Sequence, residues 1–426
     1  MASPNKLLYL NAVRAFALAR WRAWRLRDRA AIDRHHRRQL AKLQRHALES
    51  FPYYSDCGGL RFQDWPVIDK GEMVANFADL NVAGAMAEEL RDILAGGGER
   101  FRGYPIGHST GTSGNRGYYV ISDAERFQWL GTILAKTLPD ALWRKHKVAL
   151  ALPGLSTLYR SASSGSRIEL VFFDLADGVE SWADELNAAA PDTIVAPPKV
   201  LRLLAERGQL PSHNIFSGAE VLDPIDRAVI EEATGRIVRQ IYMATEGLFA
   251  VSCPHGALHL AEDVVHFEWE QPVPGSVLQT PIVTDFTRRS QAMIRYRMND
   301  LVELDTSPCT CGSAFAKLRR IEGRADDIFL LETSNGEVAT VTPDVVRNAI
   351  VDAHAAVRDF RARQVAPSRI ELTLEAHLPP DIDEMVRAKL MERLSPFGAQ
   401  PDIVIARGLD VPFDRKLRRV TREIEG

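Results

Sequence analysis

Cysteine is scarce in this sequence: four occur in 426 residues, at Cys57, Cys253, Cys309 and Cys311. Such usage leaves no disulfide framework for a small secreted scaffold. Long hydrophobic runs are also missing. No stretch of about 18 uncharged apolar residues exists, so no transmembrane helix is expected. The opening "MASPNKLLYLNAVRAFALARWRAW" is interrupted by Arg14, Arg20 and Arg22. It lacks the apolar segment and small-residue cleavage site of a signal peptide. Together these absences favour the cytoplasm. Charge of one sign is lacking too: 53 Lys and Arg stand against 56 Asp and Glu, a net −3. That balance argues against a nucleic-acid partner.

What is present is an ordinary globular composition, 46% hydrophobic and 26% charged. Such a chain can bury a large core, and its length fits two or three domains. Residues 1–50 form a basic leader with twelve Lys and Arg against three Asp and Glu. Leu10, Val13, Ala17, Trp21 and Trp24 recur there at helical spacing. The spacing predicts a helix packed on the body with an arginine face in solvent. The competing reading is peripheral contact with a membrane surface or an acidic partner. "RRQLAKLQRHALESFPYYSD" predicts a further helix stopped near Pro52, and residues 80–103 read as mostly helical.

Beyond residue 116, short apolar runs alternate with helical segments. "HKVALALPG", "RIELVFFDL" and "DTIVAPP" read as buried strands, and "PKVLRLLAERG" as a helix after one of them. The fold class is therefore α/β with largely covered sheets. After "GRADDIFLL" the order becomes αββαβ, a small α+β domain. The boundary is placed near Asp326, giving a domain of residues 1–325 and a smaller one of 326–426.

One stretch has little to pack and much to present: "HSTGTSGNRGYY", His108 to Tyr119. Glycines allow positive φ and close backbone approach to a ligand. Successive N–H groups can form a nest for an anion, and hydroxyls add donors. No GK[ST] follows, so this is not a P-loop. Alone, it reads equally well as a surface loop.

Its company changes that reading. Ser109-Thr110-Gly111-Thr112-Ser113-Gly114-Asn115-Arg116-Gly117 resembles the phosphate-binding loop of the adenylate-forming enzymes, the acyl- and aryl-CoA synthetase superfamily. "FSGAEVL" from Phe216 resembles that superfamily's adenine-side segment, and "YMATEG" from Tyr242 its Y-G-x-T-E segment. "TDFTRRSQAMIRYRMNDLVEL", "GRADDIF" and "RKLRRV" resemble the ribose-aspartate, hinge and terminal-lysine segments. The order matches across roughly residues 35–425. The departures are Arg116 for the usual Lys, Met243 for Gly, Met298-Asn299 for Thr-Gly and Arg415 for Gly. "LQRHALESFPYYSD", "CPHGALHLAEDVVHFE" and "CTCGSAFAKLRRIEGR" are similar to phenylacetate–CoA ligase and to the synthetase that adenylylates a deazaflavin coenzyme.

The resemblance implies a large adenylation domain with a mobile lid and a two-step reaction. ATP and a carboxylic acid, aromatic by family analogy, would give acyl-AMP and pyrophosphate. A thiol such as CoA would then take the acyl group. An acyl carrier protein, an amine acceptor, release of an adenylylated product and an inactive scaffold are the alternatives. Residues Ser109, Thr110, Gly111, Thr112, Ser113, Gly114 and Arg116 would hold the β- and γ-phosphates. Thr245 would hydrogen-bond the α-phosphate and Glu246 would bind Mg²⁺. Tyr242 would stack on adenine beside Gly218, Ala219 and Glu220. Asp300 would accept from the ribose hydroxyls, and Arg324 would reach ribose or phosphate. Lys416 would bridge the carboxylate and α-phosphate, and Asp326 would be the hinge. Trp129, Phe216 and Ala244 are candidate wall positions of the acid pocket.

Cys253, His259, Cys309 and Cys311 offer soft ligands suited to tetrahedral Zn²⁺, with His255 as the alternative fourth donor. A full protein ligand set would leave no open position, which implies a structural ion. Three free buried thiols are the competing reading.

Overall fold

The computed structural model describes residues 4–109, 117–152, 167–409, 413 and 416–424. Helix α1 (Pro4–Arg25) lies across α5 (Asp123–Thr137). The crossing is close: a Cβ added at Gly131 would stand 2.0 Å from the Ala12 carbonyl oxygen. Only small residues fit such a contact, and Ala15 and Ala19 are buried there beside Phe16. The expected packing stripe is therefore corrected. Leu10, Val13, Trp21 and Trp24 face outward and are 51, 45, 53 and 60% exposed.

Helix α2 (Arg29–Ser50) starts at Asp28, whose side chain accepts from the Ala31 N–H, and stops before Pro52 as its sequence predicts. The expectation of mostly helical structure over 80–103 holds only for α4 (Ala87–Ala95). Gly97, at φ +80°, ends that helix, and strands β1 (Arg100–Phe101) and β2 (Tyr104–His108) follow. Strand β3 (Tyr118–Val120) pairs with β2, and the short helix α3 (Lys70–Ala75) lies earlier in the chain.

The main sheet begins as parallel α/β structure. Strands β4 (His146–Leu152), β5 (Ile168–Asp174), β6 (Thr193–Ala196), β7 (Asn214–Ser217) and β8 (Val238–Ala244) lie in the order β5-β4-β6-β7-β8. Helices α6 (Val179–Ala189), α7 (Pro198–Glu206) and α8 (Pro224–Thr234) make the crossovers. The sheet then turns antiparallel. Strand β9 (Gly247–Ser252) pairs with β8, followed by β10 (Leu258–Leu260). Strands β11 (Val265–Glu270), β12 (Leu278–Asp285), β13 (Tyr296–Arg297), β14 (Asp300–Asp305) and β15 (Lys317–Arg324) complete it.

A second hydrophobic core starts at Phe329. Strands β16 (Phe329–Glu332) and β17 (Val338–Val341) form a hairpin. Helix α9 (Pro343–Ala353), β18 (Phe360–Ala366), β19 (Arg369–Leu374), α10 (Asp381–Leu394) and β20 (Asp402–Arg407) reproduce the expected αββαβ order. Strand β21 (Val420–Arg422) then pairs in parallel with β18, an addition the sequence pattern did not reveal. The architecture is thus α/β with a smaller α+β unit at the C-terminal end.

Charged contacts join the two cores. Arg419, 9% exposed in its side chain, lies 2.8 Å from Asp226 of α8 and 2.9 Å from Asp359 of the small unit. Arg347 on α9 reaches Glu322 on β15 at 3.3 Å.

Helix α2 is tied to the body by imidazoles. The His36 Nε2 lies 2.7 Å from the Glu262 carbonyl and must donate to it. Its Nδ1 therefore accepts from His266 Nδ1, 3.1 Å away. Burial, with His36 and Arg295 nearby, lowers the His266 pKa to about 4. The unfolded chain therefore binds this proton more readily below about pH 6.5. Stability from this site is complete above that pH and is lost as pH falls toward 4, by up to about 3 kcal/mol. Urea unfolding at several pH values should give a shallower slope over this window for His266→Gln than for the parent chain.

Candidate active site

The parallel strands β7 and β8 end side by side, and both continue into loops at their C-terminal ends. That is where open α/β sheets bind ligands. After β7 the chain passes Gly218, Ala219 at φ +66° and Glu220. After β8, which ends at Ala244, it passes Thr245 and Glu246 before turning into β9. The turn needs Gly247: a Cβ there would stand 3.0 Å from Asp285 Oδ2.

Strands β14 and β15 bring two charged residues into register, with Asp300 opposite Arg324. The Tyr242 hydroxyl donates to Asp300 Oδ2 at 2.5 Å. Desolvation raises the Asp300 pKa, while Tyr242, Arg324 and Lys416 pull against it. Tyr242 is itself buried, and burial beside Asp300 raises its pKa well above the usual range. It therefore stays a protonated donor. Its ring lies 5.3 Å from that of Phe249, so one face is packed against the core.

Glu246 is half-buried and held by hydroxyls. Thr245 Oγ1 donates to its Oε2 at 2.8 Å, and the Tyr296 hydroxyl lies 3.4 Å from Oε1. Arg288 donates to the Thr245 carbonyl. The carboxylate is oriented yet keeps oxygen lone pairs, which suits a hard cation. Lys70 on α3 lines the same cleft with Tyr118, Tyr119, Thr245, Glu246 and Tyr296. Burial and the Arg324 charge lower the Lys70 pKa, while Glu246 and Asp326 raise it. No sequence motif marked Lys70, and Tyr296 and Arg288 lie within the ribose-aspartate segment without a role assigned to them. Only the fold brings them to Glu246.

Thr110, Gly111, Thr112, Ser113, Gly114 and Arg116 lie outside the described residues. The ends of their loop are described and held together. Ser109 N–H donates to the Gly117 carbonyl at 2.7 Å, and Gly117 N–H donates to Ser109 Oγ at 3.0 Å. A Cβ on Gly117 would stand 3.8 Å from Lys70 Cε, and Gly117 lines the same cleft as Lys70, Thr245 and Glu246.

Lys416 comes from the other end of the chain. Its side chain is exposed, but its neighbours are pinned. The Leu417 N–H bonds Glu220, Arg418 pairs with Asp327, and Arg419 is buried among carboxylates. The charge of Lys416 is felt at both Glu220 and Asp300. The basic run is thus divided: Lys416 and Arg418 are exposed and the Arg419 side chain is buried, while Arg415 lies outside the described residues. Glu220 already has company: Lys199 lies 3.0 Å away, with both side chains buried. Asp326 accepts a hydrogen bond from Asn299 Nδ2, and its N–H lies 3.3 Å from Asn299 Oδ1. Phe216 is fully buried and packs with Trp129 and Met243 beneath the sheet ends. Ala244 is half-buried.

The Cys/His quartet assembles away from the cleft. One ligand atom each from Cys253, His259, Cys309 and Cys311 lie within 4.8 Å of one another. The Cys253 and Cys309 sulfurs are 3.8 Å apart, and Cys311 Sγ is 3.3 Å from His259 Nε2. A tetrahedron with metal–sulfur bonds of about 2.3 Å has sulfur–sulfur edges of about 3.8 Å. The His259 Nδ1 lies 3.0 Å from the Phe315 carbonyl, which fixes Nε2 as the free donor atom. Burial opposes a thiolate at Cys309, but hydrogen bonding within the cluster, from the Cys311 backbone first, outweighs it and lowers its pKa to about 6. His255 is not in the group.

No family model matches the chain. Protein CapK of Staphylococcus aureus is 28% identical over 202 residues, 43% of this chain and 44% of that protein. The phenylacetate-coenzyme A ligase of Thermus thermophilus is 24% identical over 125 residues, 29% of this chain and 24% of that protein. The chain thus matches less than half the length of either relative. In three dimensions it superposes on 2-hydroxyisobutyryl-CoA ligase in its postadenylation state with 2-HIB-AMP at a TM-score of 0.68. That superposition has 19% identity and covers 92% of this chain and 89% of that one. The thioesterification state of that enzyme superposes at 0.52, with 20% identity over 91% and 88% of the two chains. The layered α/β domain, the smaller C-terminal α+β unit and these superpositions agree: the chain shares the fold of 2-hydroxyisobutyryl-CoA ligase.

Proposed function

We propose that the chain is an ATP-dependent ligase that converts a carboxylic acid to acyl-AMP and then passes the acyl group to a thiol such as CoA. The observation that carries this reading is the convergence of Tyr242, Asp300, Arg324, Thr245 and Glu246 at the sheet ends, with Lys416 held over them. A carboxylate cannot expel oxide, so it must first gain a leaving group. Attack on the α-phosphate makes the mixed anhydride and releases pyrophosphate. The barrier is charge on phosphorus and on the departing polyanion, so positioning and electrostatics dominate.

Each residue has a task in that step. Asp300, held by Tyr242, accepts from ribose hydroxyls, and Arg324 neutralises charge beside it. Tyr242 offers its ring to adenine. Thr245 turns its hydroxyl from Glu246 to an α-phosphate oxygen. Glu246 would hold Mg²⁺, which neutralises phosphate charge when bound. The loop 109–117 cradles the terminal phosphates. Lys416 bridges the acid and the α-phosphate. Asp326 is the hinge through which the lid leaves for the thiol step, and the higher superposition on a postadenylation state supports this conformer as the first-step one.

The quartet Cys253, His259, Cys309 and Cys311 would hold a structural Zn²⁺, tying β9 and β10 to the β14–β15 connection. That cluster supports the phenylacetate–CoA-ligase-like branch, with an aromatic or other planar acid as substrate. An acyl carrier protein is the alternative acceptor.

Pyrophosphate release from ATP and Mg²⁺, measured over aryl, fatty and amino acids with and without CoA, tests the whole reading. Release with one acid alone supports adenylation, and silence across the panel with no ATP binding sinks it. Lys416→Ala should lower acyl-AMP formation by roughly 10²- to 10³-fold while ATP affinity stays nearly unchanged in calorimetry. Asp300→Ala should instead weaken ATP binding itself, by about tenfold or more. Elemental analysis should find one zinc per chain, and Cys309→Ser should lose it together with several degrees of melting temperature.

A further inference from the structure

Helix α1 is apolar on both sides, and the fold covers only one of them. Ala15, Phe16 and Ala19 meet the body, whereas Leu7, Leu10, Trp21 and Trp24 are 56, 51, 53 and 60% exposed. The exposed residues are no scatter. They recur along one face over the length of the helix, with Val13 and Leu18 beside them. Trp143, 68% exposed, lies edge-on to Phe16 of the same helix, and Arg144 and Lys145 follow it.

The charge on this face is basic. Lys6, Arg14, Arg20, Arg22, Arg25 and Arg27 precede the first acidic residue of the chain, Asp28; Arg14, Arg20 and Arg25 are exposed, whereas Arg22 turns to the body and donates to the Asp263 carbonyl. Helical spacing sets exposed Arg20 on the edge of the apolar stripe beside Val13, while exposed Arg14 and Arg25 fall between Trp21 and Leu18, alongside Leu7. The Arg27 guanidinium lies 4.9 Å over the Trp24 ring. Tryptophan flanked by arginine is the chemistry of the bilayer interface, where the ring enters the headgroup region and the guanidinium stays with phosphate. Each basic residue near an anionic leaflet adds about 1 kcal/mol.

We propose that the outward face of α1 is a membrane-docking surface that lies in the plane of a bilayer bearing anionic phospholipid. Charge decides between this occupant and a second copy of the chain. A two-fold contact through this face would bring two all-cationic helices together. No helix among the described residues is long and apolar enough to cross a membrane, so the contact is peripheral. The proposal stands apart from the catalytic reading, since no residue of α1 enters the cleft.

The test is flotation of the full chain with vesicles of phosphatidylcholine, with and without phosphatidylglycerol. The expected result is binding that requires phosphatidylglycerol, falls with salt, and drops at least about tenfold in Trp21→Ser/Trp24→Ser. Both tryptophans are exposed, so that variant should keep the parent's circular dichroism and melting temperature. No binding to anionic vesicles would overturn the proposal. So would binding that the double substitution leaves unchanged. Sedimentation equilibrium showing a dimer that the same substitution splits would overturn it in favour of a second copy.

Discussion

The hydrogen bond from Tyr242 to Asp300 is the contact on which the site depends. It ties the last parallel strand to the far side of the antiparallel half of the sheet. A desolvated carboxylate is costly unless donors and cations surround it. Here Tyr242 supplies the donor, Arg324 faces it across the strand pair, and Lys416 adds charge from the C-terminal segment. The same arrangement that makes Asp300 tolerable also aims it. An acceptor held by one donor on one oxygen keeps its other lone pairs for a ligand.

That constraint explains why the sheet changes direction at β8. Parallel strands place loop ends together, and the antiparallel return at Gly247 brings Glu246 back over Tyr242 and toward Tyr296. The small unit closes the arrangement with buried charge. Arg419 among Asp223, Asp226 and Asp359 fixes the segment that carries Lys416. Such contacts specify one docking geometry more than they add net stability, because desolvation offsets much of their attraction.

The departures from the superfamily pattern are mild in this light. Met243 sits on β8 and packs with Phe216 and Trp129. Asn299, where a glycine is usual, ties its side chain to Asp326 at the end of β15. Neither removes a charged group from the site.

The sequence by itself determined the local pieces. Short apolar runs bounded by turns marked the parallel strands, and the αββαβ order of the small unit could be read from periodicity. Tyr242, Thr245, Glu246, Asp300 and Arg324 were legible because their segments keep motif spacing, and the Cys/His set because soft ligands are rare here. Lys70 was not legible, because a lone lysine has no local signature. Tyr296 and Arg288 lay within a quoted segment, but their contacts with Glu246 and the Thr245 carbonyl come only from the fold. The orientation of α1 also waited for the tertiary structure. Periodicity finds an apolar stripe but cannot say which way it faces. The close crossing at Gly131 decided that, because it admits alanine and excludes tryptophan.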